Sequence, residues 1–395
     1  LGISALFILI FFTVYAASCF VTCGKLFSGL FGYSYHSMMI AGAIFVLIYT
    51  AIGGFLAESA SDFMQAVVMI IALVGVLVFG TAHAGGINAV IENAKGIPGY
   101  LSLVNLATPV TDANGVQQAA GSVPLFGEAS RYGFLTILST ASWGLGYFGM
   151  PQVLLRFMGI RKGSELKRSR RIAIVWVVIS LTAAVFIGVI GRAILPADAG
   201  LATKSGAENG FAHLSQLLFY PVIAGVIMAG ILAATISSSD SYLLIAASAV
   251  SKNLFEGIIK KDADDKQVMN VSRIMLIVIT VIGMVIAWNE NSVIFEVVSF
   301  AWSGFGATFG PIILFSLFWK RTNRAGAVAG MVSGGAMVFI WKLLLKPLGG
   351  IFGIYELMPA FLISCAFIVI VSLCTEKPSA ELEEEFEKAK NYTEA

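Results

Sequence analysis

One apolar stretch of this sequence carries an unbroken run of oxygen-bearing side chains, Ser237, Ser238, Ser239, Asp240 and Ser241, entered through Ala233, Ala234 and Thr235. At helical spacing Ser237, Asp240 and Ser241 stand at i, i+3 and i+4, so their oxygens share one face. Sodium is a hard cation that takes oxygen ligands, as calcium and magnesium do. Hydroxyls, one carboxylate and bared backbone carbonyls would supply them. A lone serine in a membrane helix bonds its own i−4 carbonyl or glues two helices together. Four serines with an aspartate exceed that need, and the chemistry they point to is ligation of a bare alkali cation.

A second constellation runs from Ser142 through Trp143, Gly144, Gly146, Tyr147 and Gly149 to Met150 and Pro151. Three glycines and a proline within ten residues make a poor continuous helix, and broken helices at mid-membrane are where transporters place substrate. Read at i, i+4, Trp143 and Tyr147 form an aromatic wall for a small apolar ring, with cation–π contact to an amine. The competing reading is a kinked, packed helix with ordinary aromatics. Arg156 follows, either to snorkel or to pair with a gate carboxylate. A charge inside a bilayer is costly, so Asp62, one turn deeper than Glu58, needs a reason. It reads as a helix-start charge favoured by the dipole or as part of an ion pathway. The fourth place, Trp302 to Pro311, is again rich in glycine. It reads as a hinge or cavity lining, or equally as a close helix contact through small residues. Cys19, Cys23, Cys365 and Cys374 read as packing, and His36, His83 and His213 as surface groups. No His/Cys set has metal-ligand spacing.

These residues lie in a chain of 395 residues that is 58% hydrophobic and 12% charged, against roughly 25% charged in soluble domains. Mean hydropathy is +0.87. Stretches such as 37–57 and 172–191 match the roughly 20 residues that cross a hydrocarbon core, and backbone in lipid must satisfy its own hydrogen bonds. Alternating strands of membrane-crossing length are absent, so the class is an all-α membrane protein. About ten spans are expected, near 1–29, 35–57, 59–82, 133–158, 169–195, 219–255, 268–288, 292–318, 324–346 and 354–374. The sixth would be about 55 Å long at ~1.5 Å per residue, so it must bend, break or run on.

Lys and Arg crowd alternate connections: Arg161 to Arg171, Lys252 to Arg273, and Lys320 to Arg324. The positive-inside rule makes those cytoplasmic. The expectation is a multi-pass protein of the cytoplasmic (inner) membrane with both ends of this chain inside. The membrane domain is 1–374. Its 83–132 connection is external, a cap or short interfacial helices, and 375–395 is a charged cytoplasmic tail. The net charge of +2 is spread out, which gives no sign of a nucleic-acid partner. No phosphate-binding Gly-x4-Gly-Lys-Ser/Thr loop stands in the sequence, and nothing points to an enzyme. The chain opens at Leu1 in apolar sequence, without the flanks of a signal peptide, and reads as lacking its first segment.

At these same four places the sequence resembles the sodium:solute symporter family, most of all its proline branch. The carrying residues are Ile-Tyr-Thr-Ala-Ile-Gly-Gly-Phe-Leu-Ala at 48–57, Trp-Gly-Leu-Gly-Tyr-Phe-Gly-Met-Pro at 143–151 and Gly-Ile-Leu-Ala-Ala at 230–234. Two more are Ala-Trp-Ser-Gly-Phe-Gly-Ala-Thr-Phe-Gly-Pro at 301–311 and Arg-Thr-Asn-Arg-Ala-Gly-Ala-Val-Ala-Gly-Met at 321–331. The likeness runs through nearly the whole chain in order. It implies an inverted-repeat helical bundle of LeuT type in which 133–158 is the broken helix opening the second repeat. It also implies that the bundle is N-terminally incomplete, without the first broken helix, so that this stretch alone is not expected to transport. The coupling ion implied is Na+, held at a main site by Ala234, Ser237 and Ser238 and at a second site by Asp62, Asp240 and Ser241. Tyr15, Trp143, Tyr147 and Pro151 match substrate or gate positions, with Arg156 a gate or structural residue. The activity implied is sodium-driven symport of a small zwitterion, L-proline first, across a lipid bilayer. Met150 replaces the glutamine common in the proline branch, which leaves another small amino acid, a carboxylate or a vitamin as the alternative substrate.

Overall fold

The computed structural model describes residues 1–391 of the chain; the side chains of 53–60 lie outside the described residues, and with them Glu58 and the glycine pair of the 48–57 motif. Helix α1, Gly2–Phe31, is apolar all round, as a helix enclosed by others must be. Phe11, Phe12, Ala16, Ala17 and Phe20 are fully buried along it. Around it pack α2 (Tyr35–His83), α9 (Pro221–Ser248), α10 (Asp265–Ile286) and α11 (Ile294–Phe318). Within α2 the membrane-length stretches are Tyr35–Ile52 and Ser61–His83. Residues twelve apart in a straight helix are separated by about 18 Å, yet Tyr49 Oη donates to Ser61 Oγ at 2.5 Å. Tyr49 and Ser61 are therefore closer than a straight helix allows, and α2 is not straight between its two membrane-length stretches.

Nine helices among the described residues are long and apolar enough to cross a membrane. The tenth expected span, 133–158, consists of α4 (Phe134–Ala141), a 3₁₀ stretch (Ser142–Gly149) and α5 (Pro151–Met158), each too short to cross by itself. The over-long sixth span runs on: α9 continues directly as a π-helical stretch, Ala249–Ile259. The 83–132 connection differs from the expected interfacial helices. It holds one short helix, α3 (Ile87–Lys95), and an antiparallel ribbon pairing β1 (Asn105–Pro109) with β4 (Phe126–Arg131) around the small pair β2 (Ala119–Ala120) and β3 (Val123–Pro124). Gly99, Gly115 and Gly121 sit at positive φ and make its turns. Pro109 lies where the register shifts, consistent with its missing N–H.

Helix α6 (Glu165–Ile194) buries only Ala183, Ile187 and Ile190 and leaves most of its other apolar side chains exposed, the distribution of a helix facing lipid. After it come α7 (Lys204–Ala207) and α8 (Gly210–Leu218). Helix α12, Arg324–Ile340, is capped by Asn323, whose side chain accepts from Gly326 N. It lies against α13, Leu357–Cys374. A methyl added at Gly326 would stand 1.9 Å from Ser372 Oγ, and one at Gly330 2.3 Å from Ile368, so this helix pair is close through small residues. Beyond α13 the helix α14, Ala380–Lys390, folds back, with Glu383 and Glu387 pairing with Lys320.

At the end of the bundle carrying the ribbon, the Lys25 and Glu208 side chains are only 7% and 19% exposed. Lys25 Nζ donates to Glu208 Oε2 at 2.9 Å and to the Ser292 carbonyl at 2.7 Å. The same carboxylate accepts from Ile294 N and Phe295 N, satisfying the open N–H groups that begin α11. Removing one partner of such a pair leaves the other charge stranded. Glu208→Ala is expected to destabilise the protein by about 2–3 kcal/mol, read as a lowered unfolding temperature in detergent, with Glu208→Gln intermediate. Equal stability of Glu208→Ala and the unaltered protein would remove this tie from the account.

Candidate functional site

The break between α4 and α5 has a local cause. Met150 is extended, with ψ 111°, and Pro151 starts α5 at its first turn, where a missing N–H costs nothing. The glycines before it have different tasks. A methyl on Gly146 would come within 1.9 Å of Trp302 Nε1, and one on Gly149 within 2.3 Å of the Phe305 carbonyl oxygen. From the other side, a methyl on Gly306 would stand 2.8 Å from Gly146 Cα. Gly144 has nothing within 4 Å. The two glycine-rich segments therefore press backbone to backbone, and Trp302 Nε1 donates to the Trp143 carbonyl at 3.0 Å. For Trp302–Pro311 this decides for close packing: α11 continues through Pro311 without a break.

The aromatic wall takes a different form from the one expected. A 3₁₀ stretch turns about 120° per residue, so Trp143 and Tyr147 point about 120° apart instead of sharing a face. Trp302 bridges them, stacked on Trp143 at 5.3 Å and edge-on to Tyr147 at 4.8 Å. Trp143 also stacks on Phe295 and Tyr355. Tyr147 keeps 46% of its surface open. Met150, by contrast, is fully buried in the core.

On α9 the oxygen-rich run forms a stripe. Ser237 and Ser238 both donate to the Ala234 carbonyl at 3.1 Å, and Ser241 Oγ reaches the Ser237 carbonyl. Each hydroxyl that spends its proton on a carbonyl keeps its lone pairs for a cation. Ala234 is exposed, Ser237 and Ser238 half-buried, and Asp240 and Ser241 buried. Asp240 Oδ1 accepts from Ser241 N at 2.8 Å. Tyr15 stacks on Tyr242, one turn beyond Ser238, with ring centroids 4.1 Å apart. Ser241 opens into a cavity of about 930 Å³ that Pro151, Gln152, Arg156, Ser248 and Lys252 also line. The fold thus brings Tyr15, through Tyr242, and Pro151, through the cavity it shares with Ser241, to the C-terminal end of the stripe, while Trp143 packs among rings of α11 and Tyr355.

Asp62 and Arg156, 94 residues apart, form an ion pair at 2.8 Å between α2 and α5. The carboxylate is mostly enclosed and the guanidinium mostly open. Asp62 Oδ1 has no hydrogen-bond partner among the described residues. Neither has Gln152 Oε1, one residue past Pro151 in the same cavity wall. Gln152 escaped the sequence reading because a glutamine near a basic loop looks solvated; the residue is half-buried, with its Oε1 enclosed.

The model of the Sodium:solute symporter family matches residues 1–334. The sodium/proline symporter of Staphylococcus aureus is 37% identical over 395 aligned residues, 98% of this chain and 72% of that protein, and the protein of strain USA300 matches to the same extent. Among solved structures, the substrate-bound outward-open state of a Na+-coupled sialic acid symporter superposes with a TM-score of 0.67 at 16% identity, covering 95% of this chain and 75% of that one. That likeness carries the fold, the LeuT-type helical bundle expected above.

Proposed function

Because the chain belongs to the sodium:solute symporter family, we propose that it couples sodium entry to uptake of a small zwitterionic amino acid, L-proline first. The observation that carries this reading is the α9 stripe: two half-buried hydroxyls on one carbonyl, leading to a buried aspartate and to Ser241 in a cavity. Ala234, Ser237 and Ser238 would hold sodium at the main site. Asp240 and Ser241, with Asp62 reached through its Arg156 pair, would serve the second. Tyr15, Tyr147 and Pro151 would surround the substrate, with Trp143 closing the side toward α11. Binding of both ligands favours the closed form, and the broken helix supplies the moving part. The basic connections Arg161–Arg171 and Lys252–Arg273 then face the cytoplasm, the ribbon faces outward, and the membrane is the cytoplasmic one.

Proline is favoured over other small solutes by the sodium/proline symporter relatives and by the burial of Met150. A side chain sealed in the core does not select substrate, so its departure from glutamine weighs little. The test is labelled proline uptake by the full-length protein, of which residues 1–395 are the part described above, in proteoliposomes. An inward sodium gradient is expected to raise uptake more than tenfold over a potassium-balanced control. Equal uptake in both would overturn the reading, and competition by another solute but not by excess proline would replace the substrate.

A further inference from the structure

Tyr242 stands one helical turn beyond Ser238 on α9, so the two share a face, and the transport reading gives it no task. Its ring is buried and stacks on Phe12 and Tyr15 of α1, with centroids 5.4 and 4.1 Å away. A phenylalanine would fill that place equally well, so packing accounts for the ring and leaves the hydroxyl over. The hydroxyl is hydrogen-bonded to two others, those of Tyr15 and Ser238. Tyr242 thereby joins a residue proposed around the substrate to one proposed around sodium. The direction of these bonds follows from counting protons, since each hydroxyl has one to donate. Ser238 gives its proton to the Ala234 carbonyl at 3.1 Å, so toward Tyr242 it accepts. Tyr242 then donates to Ser238, and Tyr15 donates to Tyr242. That leaves the Tyr15 oxygen with lone pairs to offer but no proton.

We propose that Tyr242 is the positioning residue that couples the two ligands: with sodium on Ser238, it frees the Tyr15 hydroxyl to donate to the carboxylate of the amino acid. A cation on the Ser238 oxygen repels a proton aimed at the same atom, so the Tyr242 hydroxyl turns away from Ser238 and donates to Tyr15. The Tyr15 oxygen, now accepting, no longer needs to spend its own proton on Tyr242, and that proton faces the substrate. The step is a rotation of two O–H groups, in which no proton leaves its oxygen. It makes Tyr15 a poor partner for a carboxylate when the sodium site is empty and a good one when it is filled. The inference rests on the transport reading, which places sodium at Ser238 and the substrate at Tyr15.

The test is equilibrium binding of labelled proline to the full-length protein in detergent, without sodium and at saturating sodium. In the unaltered protein sodium is expected to tighten proline binding about tenfold, and proline to tighten sodium binding by the same factor, as linkage requires. Tyr242→Phe keeps the ring and its stacking but leaves the Tyr15 proton uncommitted. Proline binding without sodium is therefore expected to become about fivefold tighter, with little change at saturating sodium, so that the coupling factor falls about fivefold. Tyr15→Phe removes the donor itself and lowers the same factor from the other side, by weakening binding at saturating sodium. The double variant should show no greater fall than either single one, since both break one chain. A ring that merely packs would leave the factor unchanged in Tyr242→Phe, and that result would overturn the inference. Equal weakening of proline binding at both sodium levels would make Tyr242 a plain substrate contact and overturn it as well. If sodium does not alter proline binding to the unaltered protein, the transport reading fails and takes this inference with it; a normal factor there that survives in Tyr242→Phe sinks the inference alone.

Discussion

Gly149→Ala is expected to abolish sodium-driven uptake, while Gly144→Ala, five residues earlier in the same glycine-rich segment, leaves it near normal. The two differ in what a methyl would meet. At Gly149 it would fall 2.3 Å from the Phe305 oxygen and 2.7 Å from Gly310 N. Both are backbone atoms of α11, so no rotamer change relieves the clash. Relief requires the 3₁₀ stretch to lift off α11, at about 3 kcal/mol for overpacking of this kind. That movement displaces Met150 from the core and shifts Pro151, where α5 begins. At Gly144 the methyl meets nothing and even favours helical backbone slightly. Uptake in proteoliposomes, with unfolding temperature in detergent as the companion measurement, separates the cases. If Gly149→Ala transports and melts like Gly144→Ala, the backbone contact between these segments is not what shapes the broken helix.

Ser238→Ala is expected to raise the sodium concentration for half-maximal uptake about tenfold or more. Loss of one oxygen ligand accounts for that size, since each ~1.4 kcal/mol is a factor of ten. The side chain is half-buried, so little packing is lost with it. Ser239→Ala is the matched control. Its hydroxyl is buried, donates to the Ile236 carbonyl at 3.2 Å, and lies about 100° round the helix from Ser238. Sodium dependence should stay put there, and the KM for proline at saturating sodium should move less than the sodium requirement in Ser238→Ala. An unchanged sodium requirement in Ser238→Ala would remove the α9 stripe as the coupling site.

Much of the architecture was legible in the residues because hydropathy is a local property. A stretch such as Leu357–Cys374 declares itself a span wherever it packs, and the excess length of the sixth span follows from counting. The α9 stripe was legible for the same reason, since Ala234, Ser237, Ser238 and Ser241 share a face in any α-helix. The ribbon within 83–132 was not, because its strands are short and pair across an intervening small hairpin.

What the linear order could not yield were relations between distant residues. The pairing of Asp62 with Arg156, 2.8 Å away on another helix, stands in neither residue's local sequence. Trp143 and Tyr147 share a face in an α-helix but not in the tighter 3₁₀ turn that contact with α11 imposes. Gly144, Gly146 and Gly149 look alike in sequence, and they separate only when the backbone of α11 closes on two of them. Residue types and their local period set which chemistry this chain can host. How far each helix is rotated, and how near its neighbour's backbone approaches, set which of those residues meet.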